Sequence, residues 1–161
     1  MEWQSMFQYH QWATQKLLDH VGSQDTSIFH QEGKNSFKSI SETYSHVLSV
    51  DYLWFKRLTG IEKPEWVEFD VSTVSSTKEA FAKLHEEMEQ YFLTLSNDEW
   101  KEVLKFTNLR GDPFSNKRED MFFTFVNHAS YHRGQVTSFL RQFDLKGIAI
   151  DYIYFAKEMN R

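Results

Sequence analysis

A chain of 161 residues is most simply one domain, spanning 1–161, and is long enough to bury a sizeable core. Gly 6 and Pro 2 supply few turns, which argues against a many-stranded β fold and for long helices. A formal charge of −5 and a pI near 5.8 argue against a nucleic-acid partner, while Cys 0 rules out disulfides and thiolate ligands and suits a cytoplasmic protein.

The first helix is expected over about Glu2 to Val21, where Trp3, Met6, Ala13 and Leu17 form one stripe that also contains His10. Its leading stretch, "MEWQSMFQYHQW", lacks the basic-then-apolar order of a secretory signal. After a long link from Gly22 to Lys38, a second helix starts at "SISE", where Ser39 and Glu42 have capping-box spacing, and runs to Leu58 before Gly60. A second link, Ile61 to Ser75, leads to a third helix at "SSTKE", in which Ser76 and Glu79 repeat that spacing. Its apolar stripe is Ala80, Phe81, Leu84, Met88, Tyr91, Phe92 and Leu95. "WKEVLKFT" reads as a short strand, followed by the turn-rich "NLRGDPFSN". The fourth helix is expected from near Asn116, with Glu119 three residues on, to about Phe143, and a short fifth from Asp151 to Met159. No apolar run approaches the roughly 20 residues that would cross a bilayer, so no membrane partner is expected. The expected fold class is all-α: a four-helix bundle with long connections and a short C-terminal helix.

The fourth helix carries "NHASYHRGQV". Composition alone yields roughly 0.3 histidine pairs at i,i+4, so the pair His128 and His132 is weak evidence until its placement is considered. On a helical projection His132 falls inside the apolar face of Met121, Phe122, Phe125, Val126, Ala129, Val136, Phe139 and Leu140. His128 sits about 40° away on its edge, with Gln135 beside it. Two imidazoles so spaced reach one ion, as in helical zinc motifs, although Ala129 stands where a zinc protease has its glutamate. Two hydrogen-bonded, half-buried histidines are the plainer reading of the spacing alone. A metal needs a third ligand, and His46, at the edge of the second helix's apolar face, is the best candidate. His20, His30 and His85 read as solvated, and His10 as a core histidine or a pocket wall. Asp51 falls at the centre of an apolar face, where a lone carboxylate is costly. Arg133, at the matching offset from His128, is the expected partner, unless Asp51 is a surface residue. Gly134 is read as allowing a helix or ligand to come close.

These residues resemble the DinB/YfiT-like superfamily of bacterial metal-binding four-helix bundles. The resemblance runs through "FQYHQWATQKLL", "SFKSISETYSHVLSVDYLWFKRLTG", "NHASYHRGQVTSFLRQFDL" and "AIDYIYF". Its most specific parts are His46, Asp51 and Trp54 in a His-x4-Asp-x2-Trp pattern, and His128, His132, Arg133, Gly134 and Gln135 in H-x3-H-R-G-Q. The resemblance implies that His46, His128 and His132 bind one divalent ion, with water in the remaining positions. It also implies an up-down-down-up bundle, often a homodimer. Characterised relatives are thiol-dependent transferases or isomerases that use a small cellular thiol such as bacillithiol or mycothiol. His10 departs from the pattern, since relatives often carry Asn after the tyrosine.

The leading functional expectation is therefore a metal-dependent transferase joining a low-molecular-weight thiol, as cosubstrate, to an electrophilic small molecule. Phe125, Phe139 and Trp54 are expected to line its pocket. A metal-dependent hydrolase and a non-enzymatic metal-binding or interaction bundle are the rivals; no catalytic residue or general base is identifiable. Three imidazoles accept Zn, Ni, Co or Fe.

Overall fold

The computed structural model describes residues 3–159. It contains α1 (Trp3–Gly22), α2 (Ile40–Leu58), α3 (Val74–Thr94), α4 (Asn97–Lys101), strands β1 (Val103–Thr107) and β2 (Pro113–Lys117), α5 (Arg118–Gln142) and α6 (Tyr152–Glu158). Glu2, the expected start of the first helix, lies outside the described residues. The long helices α1, α2, α3 and α5 form the bundle, and the described chain has no helix long and apolar enough to cross a membrane.

Named contacts give the direction of the four long helices. Phe7 meets Phe92, and Lys78 bonds Asp19, so α1 and α3 run antiparallel. Tyr44 meets Phe81 and the Tyr91 hydroxyl donates to the Leu58 carbonyl, so α2 and α3 run parallel. Phe7 against Phe125 and Thr14 against Arg133 make α1 and α5 parallel. The order is up-down-down-up, as the resemblance implies. The parallel pair α2 and α3 requires the crossover of residues 59–73. At the bundle's centre, fully buried Phe7, Phe92, Phe122 and Phe125 pack edge to face.

Local chemistry sets the ends. The Ser39 hydroxyl accepts from the Glu42 amide at 3.1 Å and starts α2. Gly60, at φ 95°, ends it: the Gly60 amide donates to the Arg57 carbonyl and the Ile61 amide to Lys56, a pattern needing a left-handed residue between them. The start of α3 differs from expectation. Thr73 is its cap, and Ser76 is the third helical residue of a reciprocal Thr73–Ser76 box. The fourth long helix begins at Arg118, not Asn116, because Asn116 pairs with Leu104 in an antiparallel hairpin. The expected strand is present as β1, and β2 is its partner. Arg118 fastens this hairpin end to the bundle: its guanidinium donates to the carbonyls of Leu58 and Glu99 and pairs with Glu102.

The link after α1 lies on α5. A side chain at Gly33 would meet the Phe139 ring at 2.5 Å, so only glycine fits there. Asn35 donates to the Gln135 carbonyl and Gln135 donates to the Ser36 hydroxyl. These contacts deliver Phe37 to the histidines.

Candidate metal centre

Helix α2 presents His46 and α5 presents His128 and His132, and the antiparallel packing of the two brings the three together. His46 Nε2 lies 3.1 Å from His128 Nε2, which lies 3.0 Å from His132 Nε2. Donors around a tetrahedral zinc at 2.0–2.1 Å stand about 3.3 Å apart, so these spacings suit a small divalent ion. The outer ring nitrogen of His132 agrees. His132 Nδ1 donates to Gln135 Oε1 at 2.7 Å, which leaves its Nε2 lone pair facing the centre. Gln135 itself is tied to Ser36 and to the Tyr131 hydroxyl. His128 Nδ1 is buried without a partner.

Burial pushes His46 and His128 down to about 4, helped by their histidine neighbours and opposed by Asp51. Burial likewise lowers His132, against the Gln135 bond. At neutral pH all three are uncharged imidazoles, the form a metal takes up. No carboxylate oxygen belongs to this ligand group among the described residues. Two aromatic rings from the links flank it: Phe37 lies 4.6 Å from the His46 ring and 5.7 Å from His132, and Trp66 lies 6.5 Å from His46. Neither link has a periodicity that would mark these residues. Phe125 and Phe139, expected in a pocket, are instead fully buried core, whereas half-buried Trp54 does line a cavity.

A second cluster corrects two expectations. Asp51 is buried as expected, but its neighbour is His10, not Arg133: Asp51 Oδ2 lies 3.1 Å from His10 Nε2 and 4.0 Å from His85 Nε2. His85 is not solvated; it is 5% exposed, and its Nε2 lies 3.1 Å from that of His10. Its four-residue step from Phe81 places it on the buried stripe, a signal outweighed by the glutamates around it. Arg133 donates to Thr14 and Ser130 and approaches His10 Nδ1 at 3.4 Å. His10 thus stands between the arginine and the carboxylate.

The three donor atoms of His10, Asp51 and His85 are close enough to hold a metal. The outer partner of His10 opposes it. A ligating histidine donates its second nitrogen to an acceptor, yet here that nitrogen faces the donor Arg133. The two clusters differ in this respect, and the triad fits an ion better. Burial pushes His10 down to about 4, against the pull of Asp51. Burial alone would raise Asp51, but His10 and His85 bring it below its ordinary range.

The remaining histidines serve the links. His20 contacts the Lys146 carbonyl at 2.6 Å, and His30, though exposed, bridges Ser41 and the Ser72 carbonyl. Gly134 is exposed with open space at its side-chain position, so no helix approaches it.

Comparison with known proteins places the fold. The sequence model of the DinB family matches residues 1–160. Protein DinB of Bacillus subtilis (strain 168) is 28% identical over 156 residues, covering 91% of this chain and 89% of that protein. A DinB-like protein from Bacillus cereus ATCC 10987 superposes with a TM-score of 0.71 at 19% identity, over 91% of this chain and 95% of its own. YfiT from Bacillus subtilis, described as a probable metal-dependent hydrolase with an unusual four-helix bundle topology, superposes with a TM-score of 0.66 at 14% identity. That match covers 90% of this chain and 89% of YfiT.

Proposed function

The chain belongs to the DinB family, and from that premise we propose that it is a divalent-metal-dependent transferase joining a low-molecular-weight thiol to an electrophilic small molecule, with His46, His128 and His132 holding the ion. The observation that carries this reading is the ligand group itself: three neutral imidazoles whose Nε2 atoms meet, with no carboxylate among them. When bound there, a divalent ion supplies uncompensated positive charge and open positions, which lower the pKa of a thiol or a water molecule.

The residues present favour the thiol. A thiol with an ordinary pKa of about 8.5 needs only modest help to ionise near neutral pH, so it can give its proton to solvent water. Its sulfur then attacks the electrophilic carbon, and the leaving group departs with the bonding electron pair. Water as nucleophile is served best by a positioned base, and the ligand group offers none. The chain's own contribution is positioning. Gln135 fixes the His132 ring, while Phe37 and Trp66 cover the outer side of His46 with apolar surface. The description of YfiT makes hydrolysis the rival reading.

The test is conjugation of 1-chloro-2,4-dinitrobenzene by several small thiols. The rate should follow bound metal, vanish with a chelator and vanish in His128→Ala. Metal-loaded protein that gives no rate above background, yet hydrolyses activated esters without a thiol, would replace this reading with the hydrolase.

A further inference from the structure

A cavity of about 380 Å³ lies between the C-terminal half of α2, the hairpin and the first turns of α5, with Trp54, Arg57, Phe106, Asn108, Asp120 and Thr124 in its lining. It lies along the same two helices as the histidines. His46, Val50 and Trp54 follow at four-residue steps on α2, and Thr124 precedes His128 by four on α5, so the cavity begins roughly 6–12 Å along the helices from the triad. A second cavity of about 270 Å³ opens beyond the same arginine, with Arg57, Lys63, Thr107, Asn108 and Arg110 in its lining and no acidic residue.

Three cations thus converge in a chain whose formal charge is −5. No carboxylate lies within ion-pair distance of Arg57, Lys63 or Arg110 among the described residues. Arg57 is the most constrained of them. It is only 5% exposed, and its guanidinium lies over the rings of Trp54 at 4.8 Å and Phe106 at 4.9 Å. Its Nη2 donates to the Thr107 carbonyl at 2.7 Å, while its buried Nε–H has no partner. A stacked, rigid guanidinium with an unused donor is organised for contact with an oxyanion. A buried cation with no anion beside it is otherwise a costly arrangement.

We propose that the region around Arg57, Lys63 and Arg110 is an anion subsite, which takes a carboxylate or phosphate group carried by the thiol or its acceptor. The reacting end of that molecule lies at the histidines, and its apolar portion crosses Trp54 and Phe106. The proposal rests on the histidine triad as the reacting centre, but anion binding can be read without any reaction. Lys63 and Arg110 are exposed, so Lys63→Glu with Arg110→Glu leaves the core intact.

Succinate and inorganic phosphate, titrated separately into the full chain at physiological salt, should move the Arg57 side-chain NMR signal saturably. The two probes distinguish a carboxylate site from a phosphate site. The double variant should weaken binding at least tenfold, and Arg57→Gln should abolish it. In the conjugation assay, 11-mercaptoundecanoate, long enough to reach from the triad towards Arg57, should outperform 11-mercaptoundecanol in kcat/KM, and the double variant should remove that advantage. No saturable shift with either anion, or equal binding by the double variant, would overturn the subsite. Saturable binding in a protein without transferase activity would leave the subsite standing and sink the transferase instead.

Discussion

His10 is an imidazole with no exposed surface, with an arginine on one ring nitrogen and a carboxylate near the other. Its environment favours the neutral form, and burial is the main reason. The sign of its linkage follows. The unfolded chain takes up this proton near pH 6.5 and the folded chain only near pH 4, so between those values the unfolded state holds more protons and stability rises with pH. Acidification through that window should therefore destabilise the protein by about 1.4 kcal/mol per pH unit from this group alone. Replacing His10 with Asn removes the titration and still offers Arg133 an acceptor. Urea denaturation at several pH values from 7 to 4.5 should show a shallower acid loss for His10→Asn than for wild type, by about one proton. Parallel curves would show that His10 is charged in the folded protein. The triad histidines also contribute to the slope, but equally in both proteins.

At the scale of elements, Gly134 is the simplest case. It sits in the interior of α5, exposed, with nothing near an added side chain. Gly134→Ala should therefore stabilise the protein by about 0.5–1 kcal/mol through helix propensity. Thermal denaturation measures this, and a lower melting temperature would mean that something does approach that face. Much of the helical framework was legible from local signals. Ser39 and Gly60 bound α2 because a capping hydroxyl and a left-handed glycine act within one turn of themselves. The start of α3 was less legible, since Thr73, Ser75 and Ser76 compete for one role and the cap went to the residue whose hydroxyl reaches the Ser76 amide. β2 was not legible at all. All five residues of "PFSNK" are exposed, so it has no alternation of burial and exists because β1 pairs with it. Of the candidate site, the three histidines follow helical spacing and family pattern. Phe37 and Trp66 come from aperiodic links, and only tertiary contacts such as Gln135 to Ser36 set their place.

The whole molecule places its two histidine clusters in different mechanical roles. The triad spans α2 and α5, which are separated by 82 residues in sequence at His46 and His128. The His10–Asp51–His85 cluster instead joins α1, α2 and α3 inside the core. An ion held by the triad binds the folded chain and not the unfolded one, so it should stabilise the fold by about 2.7 kcal/mol at a free concentration 100 times its Kd. For a domain of this size that corresponds to roughly 5–10 °C in melting temperature. Stripping the protein with a chelator and restoring zinc, nickel or cobalt should lower and then recover the melting point. His128→Ala should melt at one temperature whether or not the ion is present, and should retain little metal by mass spectrometry. His85→Ala should melt lower than wild type, because a buried ring is lost, yet respond to the ion by the full increment. The comparison separates the clusters: an ion response that disappears in His85→Ala and survives in His128→Ala would move the metal centre from the α2–α5 groove to the core.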